Sequence, residues 1–332
     1  MTEQVGATRA VGPRALDECV VVVTPRSFGE HDPALRDELE RAVAEVRYRP
    51  GPLTAEELVE AVVDADGLLA GLDQITADVF ERAVRLRVVA RYGLGVDRVD
   101  LDAAARHGVT VTVTPGANAN AVAELAIALL LALARSLVPA HDRVRAGAWP
   151  VVRGVEVAGR TLGLLGLGAI GSRVAAKSRA LGLRVLAHDP FVADEQAEAT
   201  GATLVDLDTL AAGSDFLSLH AALTEQSRGL VDRALLGRMK PGAVLVNTAR
   251  AELVDDQSLL WALDHGPLAG AALDVLADEP PPHDHPLLHR ADVLVTPHMG
   301  AHTAEATSAM GRTAFDELVA VLSGRSPRFP AR

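Results

Sequence analysis

Three side chains in the second half of the chain, Arg250, Glu279 and His298, each follow an apolar run that reads as a β-strand. The runs are "AVLVNTAR", "GAALDVLADEPPP" and "VLVTPH". Each side chain thus falls just past the C-terminal end of a strand, where open α/β sheets bind ligands. A histidine there can pass a proton to or from a hydroxyl, and an arginine can hold a carboxylate and polarise a neighbouring carbonyl. A carboxylate beside the imidazole stabilises its protonated form. Interconverting a 2-hydroxy acid and a 2-oxo acid needs this set. Taken singly, each residue has a plainer reading: a loop histidine after Pro297, a surface arginine, and a loop glutamate before three prolines.

A redox reaction at such a carbon also needs a hydride partner, and an earlier stretch, "LGLLGLGAIGSR", offers a place for one. Gly166, Gly168 and Gly171 form G-x-G-x-x-G between an apolar run and a helical pattern. Gly166 suits a tight turn, Gly168 lets the backbone approach a pyrophosphate, and Gly171 lets helix and strand pack closely. Asp189 ends the next strand, 18 residues after Gly171, near the spacing of the acid that takes ribose hydroxyls. A carboxylate there repels a 2′-phosphate, so NAD is expected rather than NADP. The alternatives are a glycine-rich turn and a solvated aspartate before Pro190.

Composition sets the frame for these sites. The chain has 332 residues, 49% of them hydrophobic, enough for two globular domains with cores of their own. Its net charge of −12 argues against a nucleic acid or an anionic membrane as partner. A small anionic substrate then needs a local cluster of cations or amides. The one cysteine, Cys19, cannot form an internal disulfide and fits a reducing compartment. The N-terminus has no apolar core of signal-peptide length, and the run "AVAELAIALLLALA" falls short of the ~20 residues of a membrane helix. A cytoplasmic protein is expected, with no metal site.

The elements that must position these residues alternate between strand and helix patterns from Cys19 onward. Five strands and four helices up to about Gly116 make a first α/β unit with no glycine fingerprint. The run "NANAVAELAIALLLALARSL" reads as one long buried helix, followed by a loop, "RAGAWPVVRGVEVAG". Strand and helix then alternate through a second sheet, and "AEATSAMGRTAFDELVAVLSG" closes the chain as a helix. The expected organisation is a first domain of residues 1–117 and 304–332 around an inserted nucleotide domain of residues 118–303. The fold class is α/β, with two Rossmann-like doubly wound parallel sheets, the first discontinuous.

Several ordered segments carry a family resemblance: "ARYGLGVDRVDLDAA", "TPGANANAVAELAIALLLALAR", "GLLGLGAIG", "SLHAALT", "MKPGAVLVNTAR", "AALDV", "DEPP" and "TPHMGAHT". In these the chain resembles the D-isomer-specific 2-hydroxyacid dehydrogenases, in particular their phosphoglycerate dehydrogenase-like branch. The resemblance implies an active site in the cleft between the two domains, with Arg250, Glu279 and His298 in the roles above. It implies that His220, Thr248 and Asp274 line the nicotinamide side, with Ala169, Ile170, Thr224 and Gly300 among the cofactor contacts. It also implies a homodimer formed through the nucleotide domain, for which "AVAELAIALLLALARSLVPAHDRVRAGAW" has the apolar surface.

Two positions depart from the family's pattern. Ala251 follows the arginine where the family has glycine, which would restrict the backbone if that site needs positive φ. Ala222 replaces a proline in "LHAALT", so a looser loop is expected there.

On the substrate side, the loop "RYGLGVD" offers Arg91, Tyr92, Gly93, Leu94 and Gly95, whose backbone amides could meet a carboxylate as in the family's equivalent loop. Asn118 is a further candidate. The opening "TPRSFG" resembles that of phosphoglycerate dehydrogenase-like members and places Arg26 and Ser27 after the first strand. Arg26 and Arg91 together could serve a phosphorylated or phosphono acid, while pairing of Arg26 with Glu30 is the structural alternative. The leading expectation is an NAD-dependent D-2-hydroxyacid dehydrogenase that transfers a hydride between nicotinamide and C2 of a 3-phosphoglycerate-like acid. The alternatives are a phosphonopyruvate-like substrate, a plain 2-oxo acid such as glyoxylate or hydroxypyruvate, and an NAD-sensing corepressor-like regulator. The chain ends at Arg332 with no added domain of the kind that confers feedback by serine, so such control is not expected.

Overall fold

The computed structural model describes residues 14–331, so most of the segment behind the signal-peptide expectation lies outside the described residues. The chain divides into two compact units. The first takes the chain to Asn118 and again from Thr303, and the second runs from Ala119 to His302.

In the first unit, strands and helices alternate as β1 (Val20–Val23), α1 (Pro33–Ala42), β2 (Glu45–Tyr48), α2 (Ala55–Val62), β3 (Gly67–Ala70), α3 (Ala77–Arg82), β4 (Val88–Arg91), α4 (Leu101–Arg106) and β5 (Thr110–Thr112). The five strands form one sheet in the order β2-β1-β3-β4-β5, parallel throughout. All four valines of β1 are buried, as expected of a strand with helices on both faces. Val21, Val23, Leu69 and Ala90 face a core with Leu35 and Leu39 of α1 and with Ala314, Leu318 and Leu322 of the C-terminal helix Ala304–Leu322. Val22, Leu68 and Val89 face Leu58 of α2, Phe80 of α3 and Ala103 of α4 on the other side.

Helices begin where the sequence supplies caps. Thr54 and Glu57 make a reciprocal capping box at α2, and Asp100 accepts from Ala103 N at α4. The C-terminal helix is tied to the sheet end by Tyr92, whose hydroxyl donates to Thr307 O at 2.7 Å.

The second unit comprises α5 (Ala119–Ala134), α6 (Leu137–Arg145), β6 (Thr161–Leu165), α7 (Ala169–Ala180), β7 (Arg184–His188), α8 (Asp194–Thr200), β8 (Thr203–Leu204), α9 (Leu207–Gly213), β9 (Phe216–Leu219), α10 (Arg233–Leu236), β10 (Ala243–Asn247), α11 (Asp256–Asp264), β11 (Leu268–Leu273) and β12 (Val293–Val295). Its seven parallel strands lie in the order β12-β11-β10-β9-β6-β7-β8. The order reverses beside β6, so the turn after that strand opens at the switch point where such sheets bind ligands. Leu162, Leu164 and Val246 pack against Ala126 and Leu130 of α5, whereas Leu217, Leu245 and Leu273 pack against Leu235 and Leu259.

One expectation needs correction. The long apolar helix ends at Ala134, and residues 137–145, read in part as its end and in part as plain connection, form α6. Ser136 breaks the run with φ 48, and the two helices are bent by 63°. No single helix among the described residues is long and apolar enough to cross a membrane.

Candidate active site

Arg250, Glu279 and His298 follow β10, β11 and β12, three neighbouring parallel strands of the second unit. Parallel strands lie roughly 4.8 Å apart, so the topology gathers the three turns at one edge. His298 and Glu279 meet directly: Nδ1 of the imidazole is 2.8 Å from Oε2 of the carboxylate. Glu279 is itself held by Leu276 N, which donates to Oε1 at 3.2 Å.

The backbone of His298 is left-handed, with φ 50, a conformation that costs a non-glycine residue free energy unless its surroundings enforce it. Asp274 enforces it. That carboxylate is 1% exposed and accepts from Thr296 Oγ1 at 2.6 Å, Met299 N at 2.9 Å and Gly300 N at 2.8 Å. Donors on both sides of His298 therefore converge on one buried anion, which sets where the imidazole points. Asp274 and Gly300, read as cofactor contacts, are placed here as partners in that brace.

Asn247 does the same for Arg250. It is 1% exposed, donates from Nδ2 to Arg250 O at 2.8 Å and accepts from Ala249 N at 3.0 Å. Arg250 is half-buried and donates from Nη1 to Ala249 O at 2.7 Å. Ala251 opens a short 3-10 turn, Ala251–Leu253, and is not among the residues with positive φ, so alanine brings no backbone strain there. Nor is the loop at Ala222 loose. Thr224 N donates to Ser227 Oγ at 2.8 Å, Ser227 N returns a bond to Thr224 Oγ1 at 3.1 Å, and Ser227 Oγ donates to Ala222 O at 2.8 Å.

The residues after β6 fit a dinucleotide. Gly166 takes φ 95 and packs so tightly that a Cβ would stand 2.6 Å from Ala221 N. Gly168 is the N-cap of α7, and a Cβ on it would meet nothing within 4 Å, which leaves open space in front of the helix N-terminus beside the exposed Ala169 and the half-buried Ile170. Asp189 steadies this loop, accepting from Leu167 N at 2.8 Å and from Phe191 N at 3.0 Å, and each oxygen keeps a lone pair for a further donor.

Two polar atoms sealed from solvent support the fit. His220 Nδ1 and Thr248 Oγ1 have no hydrogen-bond partner among the described residues. Leaving such a group unmet costs about 1–3 kcal/mol, which a polar ligand would recover. The other nitrogen of His220 lies 2.9 Å from Ser218 Oγ, and burial pushes the imidazole down to about 4, so the ring is neutral at pH 7.

On the first unit, Arg26 is exposed and its Nε donates to Gly51 O at 2.8 Å, not to Glu30. Ser27 is half-buried beside it. Arg91 is placed differently from the expectation of a cation offered to substrate. It is 4% exposed, with Nε donating to Gly95 O at 3.1 Å and Nη1 to Ala70 O at 3.4 Å and to Gly71 O. These bonds brace the turn after β4. Tyr92 is likewise structural, its ring set edge-on to Phe28 at 6.4 Å. Gly93 and Gly95 are half-buried, Leu94 stands 50% exposed on the same turn, and Asn118 is half-buried at the end of the first stretch.

The sequence reading did not include Asn247 as a support, and it did not foresee that Asp274 braces the His298 loop. The signal for both was a polar residue closing a buried strand, where polar groups persist only with partners.

The chain as a whole is similar to known proteins. The family model described as "D-isomer specific 2-hydroxyacid dehydrogenase, NAD binding domain" matches residues 127–300. D-3-phosphoglycerate dehydrogenase of Methanocaldococcus jannaschii is 40% identical over 286 residues, which are 85% of this chain and 54% of that protein. The chain thus spans about half the length of the phosphoglycerate dehydrogenases it matches. Glyoxylate reductase of Korarchaeum cryptofilum is also 40% identical, over 83% of this chain and 85% of its own length. Among solved structures, the TT0316 protein of Thermus thermophilus superposes with a TM-score of 0.85 at 39% identity, covering 94% of this chain and 100% of that one. D-lactate dehydrogenase with NAD+ from Lactobacillus jensenii superposes with a TM-score of 0.75 at 27% identity, over 94% and 99%. With the glycine loop, the doubly wound sheet and this likeness together, the chain belongs to the D-isomer specific 2-hydroxyacid dehydrogenase family and carries its NAD-binding domain.

Proposed function

We propose that the protein is an NAD-dependent oxidoreductase interconverting a D-2-hydroxy acid and its 2-oxo acid. We further propose that the acid bears a second anionic group, as 3-phosphoglycerate does. The observation that carries the reaction is the 2.8 Å approach of His298 Nδ1 to Glu279 Oε2. With Nδ1 committed to the carboxylate, Nε2 is the nitrogen left to face substrate. In reduction the protonated ring gives its Nε2 proton to the oxygen on C2, and in oxidation the neutral ring takes it back. Glu279 stabilises the imidazolium at the stage where the ring holds both protons. Arg250 holds the substrate carboxylate and polarises the adjacent carbonyl. NAD, when bound, supplies or accepts the hydride at C2. Gly168 and the α7 amides would receive its pyrophosphate, Asp189 its ribose, and His220 and Thr248 its polar groups near the sheet.

Arg26 supports the second anion. It is exposed, and with Nε bound to Gly51 O its two Nη groups make no bond with the described residues. Such a fork suits a phosphate or phosphonate, at about 1.5–3 kcal/mol per charge-assisted bond. A second reading, a plain acid such as glyoxylate or hydroxypyruvate, is favoured by the burial of Arg91 and by the 40% identity to a glyoxylate reductase.

The working form is proposed to be a cytoplasmic homodimer. Leu137, Trp149 and Val151 are 60%, 89% and 86% exposed along α6 and the following loop, and a second copy of the chain would cover them.

The test of substrate class is NADH oxidation with 3-phosphohydroxypyruvate, phosphonopyruvate, hydroxypyruvate and glyoxylate, in wild type and Arg26→Ala. The substitution is expected to raise KM about tenfold for the acids with a second anion and to leave glyoxylate unchanged. Equal losses on all substrates, or none on any, would assign Arg26 to structure and favour the plain acid.

A further inference from the structure

Asp73 is fully buried just beyond the C-terminal end of β3, in the first unit, and no cation lies within ion-pair distance of it among the described residues. Its charge is met by neutral donors from three separate turns. Leu53 N, after β2, donates to Oδ1 at 2.9 Å. Gly71 N, after β3, donates to Oδ2 at 3.1 Å, and the Thr24 hydroxyl, after β1, donates to the same oxygen. β2, β1 and β3 are neighbours in the sheet, so one carboxylate ties together the turns at the ends of three adjacent strands.

Those turns carry Arg26. Gly51 N donates to Thr24 O at 2.9 Å, and Gly51 O accepts Arg26 Nε at 2.8 Å. The turn that receives Arg26 is therefore anchored from both sides, by Thr24 at Gly51 and by Asp73 two residues on at Leu53. The third turn is shared with Arg91, whose Nη1 donates to Gly71 O. A buried carboxylate without a cation is costly, and an apolar turn would be cheaper if only folding were served. A carboxylate tied to the turns that carry Arg26 does not help bind an anion by its own field. What it does supply is a fixed address for the acceptor of Arg26.

We propose that Asp73 is a positioning residue for recognition of the substrate's second anionic group, acting through the Gly51–Leu53 turn on Arg26. This rests on the reading that Arg26 meets that group.

The test is a double-mutant cycle between Asp73→Asn and Arg26→Ala, read as KM and kcat for 3-phosphohydroxypyruvate and for glyoxylate, with NADH affinity measured by fluorescence titration. An asparagine must turn its amide NH₂ toward one of the three donors, so the turns shift while the packing volume stays. Asp73→Asn is expected to raise KM for the phosphorylated acid about tenfold, with kcat within about threefold, glyoxylate KM unchanged and NADH affinity unchanged. In the Arg26→Ala background the same change should add less than about twofold, because the two act as one unit. Thr24→Val removes one donor with little change of shape and should give the same KM split at roughly a third of the size, which keeps the test open if asparagine at 73 does not fold. Unchanged KM, or full additivity with Arg26→Ala, overturns the assignment of Asp73. A wild type that turns over glyoxylate but not the phosphorylated acid removes the second-anion reading and this proposal with it, while leaving the dehydrogenase reading standing.

Discussion

His298 and Glu279 are joined by a 2.8 Å contact between Nδ1 and Oε2, and the histidine making it is held at φ 50 by a loop pinned to Asp274. Geometry this constrained leaves little for substrate binding to rearrange. Glu279→Gln keeps the shape and an acceptor but removes the charge. A charge-assisted bond becomes a neutral one, a difference of about 1–1.5 kcal/mol, so kcat should fall about tenfold. Steady-state kinetics at saturating NADH checks this, and an unchanged kcat would make Glu279 a support for the loop only.

Asp189 is expected to set the choice of cofactor. It meets Leu167 N at 2.8 Å inside the glycine loop, so its carboxylate is fixed where it would repel a 2′-phosphate. Asp189→Ser combined with Pro190→Arg should narrow the preference for NADH over NADPH by about tenfold or more, roughly the effect of exchanging one repulsive charge contact for an attractive one. Ratios of kcat/KM for the two cofactors measure this. Equal use of both by the wild type would contradict the role given to Asp189.

His220, half-buried with its Nδ1 sealed from solvent, predicts an acid sensitivity of stability. Burial pushes its imidazole down to about 4, from 6.5 in the open. As pH falls below about 6.5 the unfolded chain takes up a proton that the folded chain refuses until about pH 4. Stability is therefore unaffected above pH 6.5 and declines through the window from 6.5 to 4, by roughly 2–3 kcal/mol at most. His220→Gln should flatten that part of the profile. Urea unfolding at pH 7 and pH 4.5 compares the two, and parallel losses in both proteins would show that His220 takes up its proton in the folded state as well.

The elements that carry these residues were legible in the sequence. Apolar runs of β-branched residues gave the strands, and the three glycines with Asp189 placed the nucleotide loop. The ends of three such runs gave Arg250, Glu279 and His298. What stayed hidden depends on contacts between residues far apart in sequence. Arg91 reads as an available cation because its acceptors, Ala70 O and Gly71 O, are on another strand's turn. Asp73 carries no signal in the sequence, because its partners Thr24 and Leu53 come from two other turns. The break at Ser136 was invisible because apolar residues continue on both sides, and only the left-handed backbone stops the helix.

Proton transfer at His298 is the central step of the proposed reaction. Asparagine tolerates the left-handed backbone, so His298→Asn keeps the loop while removing the ring nitrogen that handles the proton. The measurement is single-turnover and steady-state NADH oxidation with the best 2-oxo acid, beside an NADH titration of the same protein. The prediction is NADH affinity within about twofold of wild type and turnover reduced by about 10²-fold or more, the usual contribution of a positioned acid and base. A variant that binds NADH and turns over at near wild-type kcat would contradict the mechanism at its centre.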